Sequence, residues 1–186
     1  MNALIVDCTS PKLSVLVLKN EILFSHVGTD SPKRHASQVL PVIDDLLTKA
    51  NIQTSDLNVI CAISGPGSFT GIRIGAATCN ALAFAVGAKR VSLTSLEPIL
   101  VDKDYGLALL SCNNNSYYAL LKKENSLEYF AMDLNELEKR DEPKYYVTGF
   151  DIEKTIIAFE KKCLKNDYVD LITPFYIKKS SAEKHD

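Results

Sequence analysis

The residues with the clearest chemical potential lie in one stretch, Ser64 to Gly75, which reads S-G-P-G-S-F-T-G-I-R-I-G. Four of the chain's eight glycines sit there: Gly65, Gly67, Gly71 and Gly75. Gly65 and Gly67 allow positive φ or close backbone approach, and Pro66 stiffens the turn between them. Ser68 and Thr70 are N-cap candidates for a following helix, whose first N–H groups could hold an anion. The spacing is neither that of a P-loop nor G-x-G-x-x-G, so a tight strand-to-helix turn stands as the plain alternative to a phosphate cradle. Ser64 and Ser68 have no G-x-S-x-G elbow and no identifiable base, which argues against a serine nucleophile. His35 is followed one helical turn later by Val39 rather than a second histidine. With His26 and His185 offering no partner spacing, no metal ligand set emerges, and His35 reads as a polar surface or capping residue. Asp7, in the run Asp7-Cys8-Thr9-Ser10, reads as an Asx-turn residue at a strand end.

The elements around these residues follow from hydrophobic pattern. Ala3–Val6, Leu13–Leu18 and Ile22–Val27 are expected strands, with Lys19-Asn20-Glu21 as a hairpin turn. A helix capped by Ser31, with Pro32 in its first turn, buries Ala36, Val39, Leu40, Ile43, Leu46, Leu47 and Ala50. Pro41 inside this pattern implies a kink or a late helix start. Val59–Ile63 is a strand leading into the glycine-rich loop, a second helix follows, and Arg90–Leu93 is a short strand. In the second helix, at about 100° per residue, Ile74, Cys79, Leu82, Ala85 and Val86 gather on the side expected to face the core. The other side carries Ala76, Ala77, Asn80, Ala83 and Phe84, with Arg73 near its start. That second side is small and apolar where a surface helix is normally polar. Burial beneath this chain's own elements and a protein–protein interface are the two readings.

Composition shifts near residue 100. Residues 1–100 carry 8 basic and 7 acidic side chains and residues 101–186 carry 13 and 16, so a lobe boundary is expected near Glu97 to Asp104. This gives two units, 1–100 and 101–186. The second has strands at Leu107–Cys112 and Tyr117–Leu121, joined across Asn113-Asn114-Asn115, and a third at Leu127–Met132. Asp133 and Glu136 cap a short helix, Tyr145–Thr148 is a strand, and Asp151 caps a helix with Ile152, Ile156, Phe159 and Cys163 on one face. No internal repeat is evident, and residues 179–186 are expected to fray. The net charge of −2 provides no bulk attraction to nucleic acid or anionic membrane. Lys33-Arg34, Lys89-Arg90 and Lys178-Lys179 read as solvated faces. No apolar run approaches the ~20 residues of a membrane span. Five cysteines without a C-x-x-C pair, with Cys8, Cys61 and Cys79 in apolar patterns, read as small buried side chains in a reducing cytoplasm.

Taken whole, G-P-G-S-F-T-G-I-R-I-G resembles the motif of the TsaB (YeaZ) family. Leu4-Ile5-Val6-Asp7-Cys8-Thr9-Ser10 with Ser14-Val15-Leu16 is similar to that family's first hairpin. Arg34-His35-Ala36-Ser37-Gln38-Val39-Leu40-Pro41-Val42-Ile43 and the closing Pro174-Phe175-Tyr176-Ile177-Lys178 are also similar. The resemblance covers residues 1–100 and this tail.

The resemblance implies an α/β, actin-like or sugar-kinase-like ATPase fold with two lobes, the second reduced. It also implies a non-catalytic subunit of the machinery that makes threonylcarbamoyladenosine in tRNA. The implied partners are the catalytic subunit TsaD and the ATPase TsaE, with tRNA met only within the complex, and a homodimer through the same helical face is a further arrangement. In that picture Ser64, Gly65, Pro66, Gly67, Ser68, Phe69, Thr70, Gly71 and Arg73 shape the lobe and position the second helix. His35, Val39, Ala76, Ala77, Asn80, Ala83 and Phe84 form the partner interface. ATPases of this fold place a metal- or phosphate-directed aspartate where Asp7 stands, so Asp7, Thr9 and Ser10 are candidates for weak nucleotide contact. The implied cofactors are none for the chain alone, with ATP or ADP and magnesium at the level of the complex. The rival reading is an autonomous small ATPase or phosphotransferase built on Asp7 and the Gly65–Gly71 loop.

Overall fold

The computed structural model describes residues 1–29, 34–113, 115–124 and 126–177. The expected Ser31–Pro32 cap, residue 114 of the asparagine turn, Lys178 and the expected frayed tail lie outside the described residues.

The first sheet is assembled from β1 (Asn2–Asp7), β2 (Ser14–Lys19), β3 (Ile22–Val27), β4 (Val59–Ile63) and β5 (Lys89–Leu93). Its order is β3-β2-β1-β4-β5, with the first three strands antiparallel and β4 and β5 parallel to β1. The central strands are apolar at nearly every position because both faces are covered. Side chains alternate across a strand. Leu4, Val6, Val15, Val17, Ile60 and Ala62 therefore meet helices α1 (His35–Ala50) and α2 (Phe69–Val86). Ala3, Ile5, Leu16, Leu18, Val59 and Cys61 point to the opposite face, where Ala158 and Phe159 of a later helix pack.

The second sheet holds β6 (Tyr105–Asn113), β7 (Ser116–Lys123), β8 (Ser126–Asp133) and β9 (Lys144–Tyr146) in the order β8-β7-β6-β9. Helix α3 (Leu134–Glu138) begins with a capping box in which Asp133 and Glu136 exchange hydrogen bonds. The unit repeats the order of the first: three antiparallel strands, a helix, then a strand parallel to the first of the three. Among the described residues it has no fifth strand. Helix α4 (Ile152–Leu164), capped by Asp151, leaves this unit and packs on the first sheet.

Two expectations about helices are corrected. Helix α1 runs from His35 with Pro41 inside it, and Ala36 and Leu40 are exposed while His35, Val39, Ile43, Leu46, Leu47 and Ala50 are buried. In α2 the buried residues are Gly71, Ile72, Gly75, Ala76, Cys79 and Ala83. Leu82, Ile74 and Val86 are only half-buried, and Ala85 is exposed. By length and composition α2 could cross a membrane, which corrects the expectation that no segment comes close. Its apolarity is put to another use here, since one side is part of the core.

Candidate functional site

The glycine-rich loop divides into an inward and an outward half. On the inward half, Ser64 is buried, donates both its N–H and its hydroxyl to the Leu93 carbonyl (2.8 and 3.1 Å), and accepts the Phe175 N–H at 2.8 Å. Ser95 donates its N–H to Gly65 O and its hydroxyl to Pro66 O. Ser68 donates its N–H to Thr9 O at 2.8 Å. Its side chain accepts the Gly71 N–H at 3.2 Å, so Ser68 rather than Thr70 is the N-cap of α2.

Glycine is required where α2 meets the end of β1. A methyl group at Gly71 would overlap the Cys8 carbonyl, and one at Gly67 would lie 2.6 Å from Thr9 O. The helix therefore starts against the backbone of residues 8–9, and the loop's glycines are what permit it.

Asp7 sits beside this junction, 4 % exposed. Its carboxylate accepts the Thr9 N–H at 2.7 Å, which is the Asx-turn arrangement. Burial raises its pKa above the ordinary carboxylate range, against the lowering pull of its Thr9 hydrogen bonds and the nearby His35 ring. Ser10 donates its hydroxyl to Lys12 O. His35, expected at the surface, is 2 % exposed and donates Nε2–H to Pro11 O at 3.2 Å. It braces the Asp7–Pro11 segment from behind.

Asp7, Thr9, Ser10, Gly67 and Ser68 form one wall of a cleft of about 540 Å³ between the two sheets. Tyr118 and Cys112 line it from the second sheet, and Asp151 and Thr155 from the start of α4. Sequence reasoning missed this opposite wall, because the residues that meet across the cleft lie a hundred positions apart. Among the described residues no lysine, arginine or histidine lines it. A triphosphate would meet two aspartates there and no side-chain cation from the described residues, so these do not supply the counter-charge a nucleotide needs. Among the described residues no group of three or more histidine, cysteine or carboxylate side chains could hold a metal.

The outward half is a separate cluster. The Arg73 guanidinium stacks over the Phe69 ring at 3.8 Å and donates Nε–H to the Tyr176 hydroxyl at 3.2 Å. The Phe69 and Tyr176 rings lie 5.3 Å apart. Beyond it along α2, Ala77, Ala81 and Phe84 are exposed, Phe84 at 83 %. Asn80 is half-buried and exchanges hydrogen bonds with both backbone groups of Ile172. Four of the expected interface residues, His35, Val39, Ala76 and Ala83, lie in the chain's own interior at 3 % exposure or less. The expectation that Ala76 and Ala83 face outward is thereby corrected. Ala77 and Phe84 are the members of that set on the open side.

Two lobes enclosing a cleft, the first built on three antiparallel and two parallel strands, make this an actin-like, sugar-kinase-like ATPase fold with a reduced second lobe. The model of the TsaD family, tRNA N6-adenosine threonylcarbamoyltransferase, matches residues 26–136. The tRNA threonylcarbamoyladenosine biosynthesis protein TsaB of Bacillus subtilis is 27% identical over 111 residues, 60% of this chain and 48% of that protein. The Escherichia coli TsaB is 29% identical over 96 residues, 52% of this chain and 41% of that protein. A Pseudomonas aeruginosa crystal structure described by its similarity to peptidase YeaZ superposes with a TM-score of 0.77 at 19% identity, covering 95% of this chain and 99% of that one. The chain belongs to the TsaB (YeaZ) family, within the group the threonylcarbamoyltransferase model describes. It aligns with less than half the length of these curated TsaB relatives.

Proposed function

We propose that this chain is a non-catalytic subunit that binds the threonylcarbamoyltransferase TsaD. In this role it supports transfer of threonylcarbamoyl from threonylcarbamoyl-adenylate to N6 of adenosine 37 in tRNA. The observation that carries the reading is the open side of α2. Ala77, Ala81 and Phe84 form an exposed apolar strip on a helix whose other side is core, and such a strip is a docking surface by its chemistry. The cleft supports the same reading, because the Asp7 carboxylate is engaged by Thr9 and, among the described residues, no lysine, arginine or histidine lines the cleft. TsaE is the further partner proposed, tRNA is met within the assembly, and a homodimer would use this same α2 face.

The rival reading is an autonomous ATPase, favoured by the position of Asp7, Gly67 and Ser68 on the cleft wall. Reconstitution separates the two. TsaD, TsaE, tRNA and the activated donor are combined with and without this chain, and the modified nucleoside is quantified. Dependence on the chain with Asp7→Ala still active is the expected result. Tight binding of ATP–magnesium by the isolated chain, with turnover abolished by Asp7→Ala, would establish the rival.

A further inference from the structure

Arg73 is the only charged residue in the eighteen of α2, and the first turn of the helix holds no acidic residue. It lies near the positive end of the helix dipole, where a cation is disfavoured. None of the ion pairs among the described residues includes it. Yet the side chain is held: one face lies on Phe69 and Nε is bonded to Tyr176. Among the described residues neither terminal nitrogen of the guanidinium has a hydrogen-bond partner, and the residue is exposed. A guanidinium fixed in this way has already lost the rotamer freedom it would give up on binding, and its planar fork matches a carboxylate with two parallel hydrogen bonds.

Arg73, Ala77, Ala81 and Phe84 succeed one another at intervals of four, four and three residues. They form one stripe about 16 Å long at 1.5 Å per residue. Alanines at its centre let a facing helix approach closely, with Phe84 anchoring one end and the guanidinium the other. Aromatic and arginine anchors of this kind dominate protein interfaces. Nucleic acid fits poorly, since phosphate binding needs several cations and the stripe has one.

We propose that Arg73, clamped between Phe69 and Tyr176, is the carboxylate-binding fork of the α2 interface, and that the helix docking there presents an aspartate or glutamate opposite it. This rests on the interface reading given above and specifies the partner chemistry.

The test measures affinity between the full chain and the TsaD protein of the same organism by biolayer interferometry at low and high salt. Thermal melts of each variant accompany it. Arg73→Gln is expected to weaken the complex at least about tenfold and to flatten its salt dependence. Arg73→Lys should recover only part of the loss, because an ammonium cannot make the paired bonds. Tyr176→Phe, which removes the acceptor that orients the fork, should weaken binding about threefold with an unchanged melting temperature. A wild-type complex that Arg73→Gln leaves untouched in affinity and salt slope overturns this inference alone. A wild-type chain that forms no complex overturns the interface reading and the inference together. A homodimer broken by Arg73→Gln and by Asp44→Asn, which removes an exposed carboxylate of α1, with the TsaD complex intact, would assign the fork to a second copy. Loss of tRNA retention with the complex intact would assign it to phosphate, and either result overturns the proposal.

Discussion

The backbone N–H of Phe175 donates to the carbonyl of Ser64 at 2.8 Å, so the closing segment of the described chain is pinned to the loop that opens α2. One residue on, Tyr176 reaches Arg73, and three positions before Phe175, Ile172 is held by Asn80. Two sequence motifs more than a hundred residues apart thus form one surface. The Phe175 ring also packs edge-on against Tyr129 of the second sheet at 4.9 Å.

The junction between α2 and β1 gives the sharpest stability prediction. Gly71→Ala forces a methyl group into the Cys8 carbonyl and is expected to destabilise by about 3 kcal/mol, measured by urea unfolding. Gly75→Ala, one turn on, places its methyl 3.7 Å from Cys8 Cβ, an ordinary contact. It should be neutral or stabilise by up to about 1 kcal/mol through helix propensity. Equal effects at the two positions would contradict the close approach. Gly67→Val should resemble Gly71→Ala, because its Cβ would meet Thr9.

Asp7 supplies a pH prediction. Its pKa is raised on folding, from an ordinary value near 3.8. The folded state therefore favours the neutral carboxyl. The stability this gives is fully present below pH 3.8 and is lost as pH rises through the folded pKa. Asp7→Asn keeps an oxygen to accept the Thr9 N–H and removes the buried charge. It should raise the melting temperature at pH 7, with the gain vanishing below pH 3.8. A lower melting temperature at pH 7 would mean the charge itself is needed.

On α2, charge insertion should separate the two sides. Ala76→Arg and Ala83→Arg place an unpaired guanidinium in the core and should unfold the chain, at a cost of several kcal/mol. Ala77→Arg and Phe84→Asp should melt like the wild type yet lose about 2 kcal/mol or more of partner affinity. Melting curves and co-purification with TsaD read the two effects independently.

The cysteines should label in order of exposure. Burial, with Asp7 alongside, pushes the Cys8 thiol up to about 12, and burial raises Cys61 and Cys79 as well. In the native chain at pH 8, iodoacetamide should modify the two half-buried thiols, Cys112 and Cys163, with Cys163 the slower because burial raises its pKa. Cys8, Cys61 and Cys79 should stay protected until unfolding. Mass spectrometry showing Cys8 modified as fast as Cys112 would contradict the packing described.

The strands were legible because their apolar runs are bounded by turn residues, and Ile22–Val27 falls where its pattern places it. The orientation of α2 was not. Its residues are apolar almost all round, so periodicity offers no polar side for contrast, and size favoured Leu82 and Val86 as core. Instead the helix starts so close to Cys8 that only glycine fits at position 71, and the buried side is made mostly of small residues, Gly71, Gly75, Ala76, Cys79 and Ala83, with Ile72. The burial of His35 depends on the Pro11 carbonyl, 24 residues earlier, which no local pattern reports. The repeat of strand order between the two sheets is carried by hydrogen bonding and leaves no repeated residues. The packing of α4 on the first sheet is likewise a matter of where the chain crosses.

Those crossings have a mechanical consequence. The path between the sheets passes once through 94–104 and once through 147–151, and the adjacent strands β6 and β9 carry both passages. Because α4 rides on the first sheet, residues 105–146 are joined to the rest of the chain by these two neighbouring passages. Tyr129 ties the segment back as well: its hydroxyl shares a hydrogen bond with Thr94 at 3.3 Å and its ring abuts Phe175. Leu96 and Leu100 of the first passage pack against Ala108 and Leu120 of the second sheet, so the cleft is spanned by side chains of the chain itself.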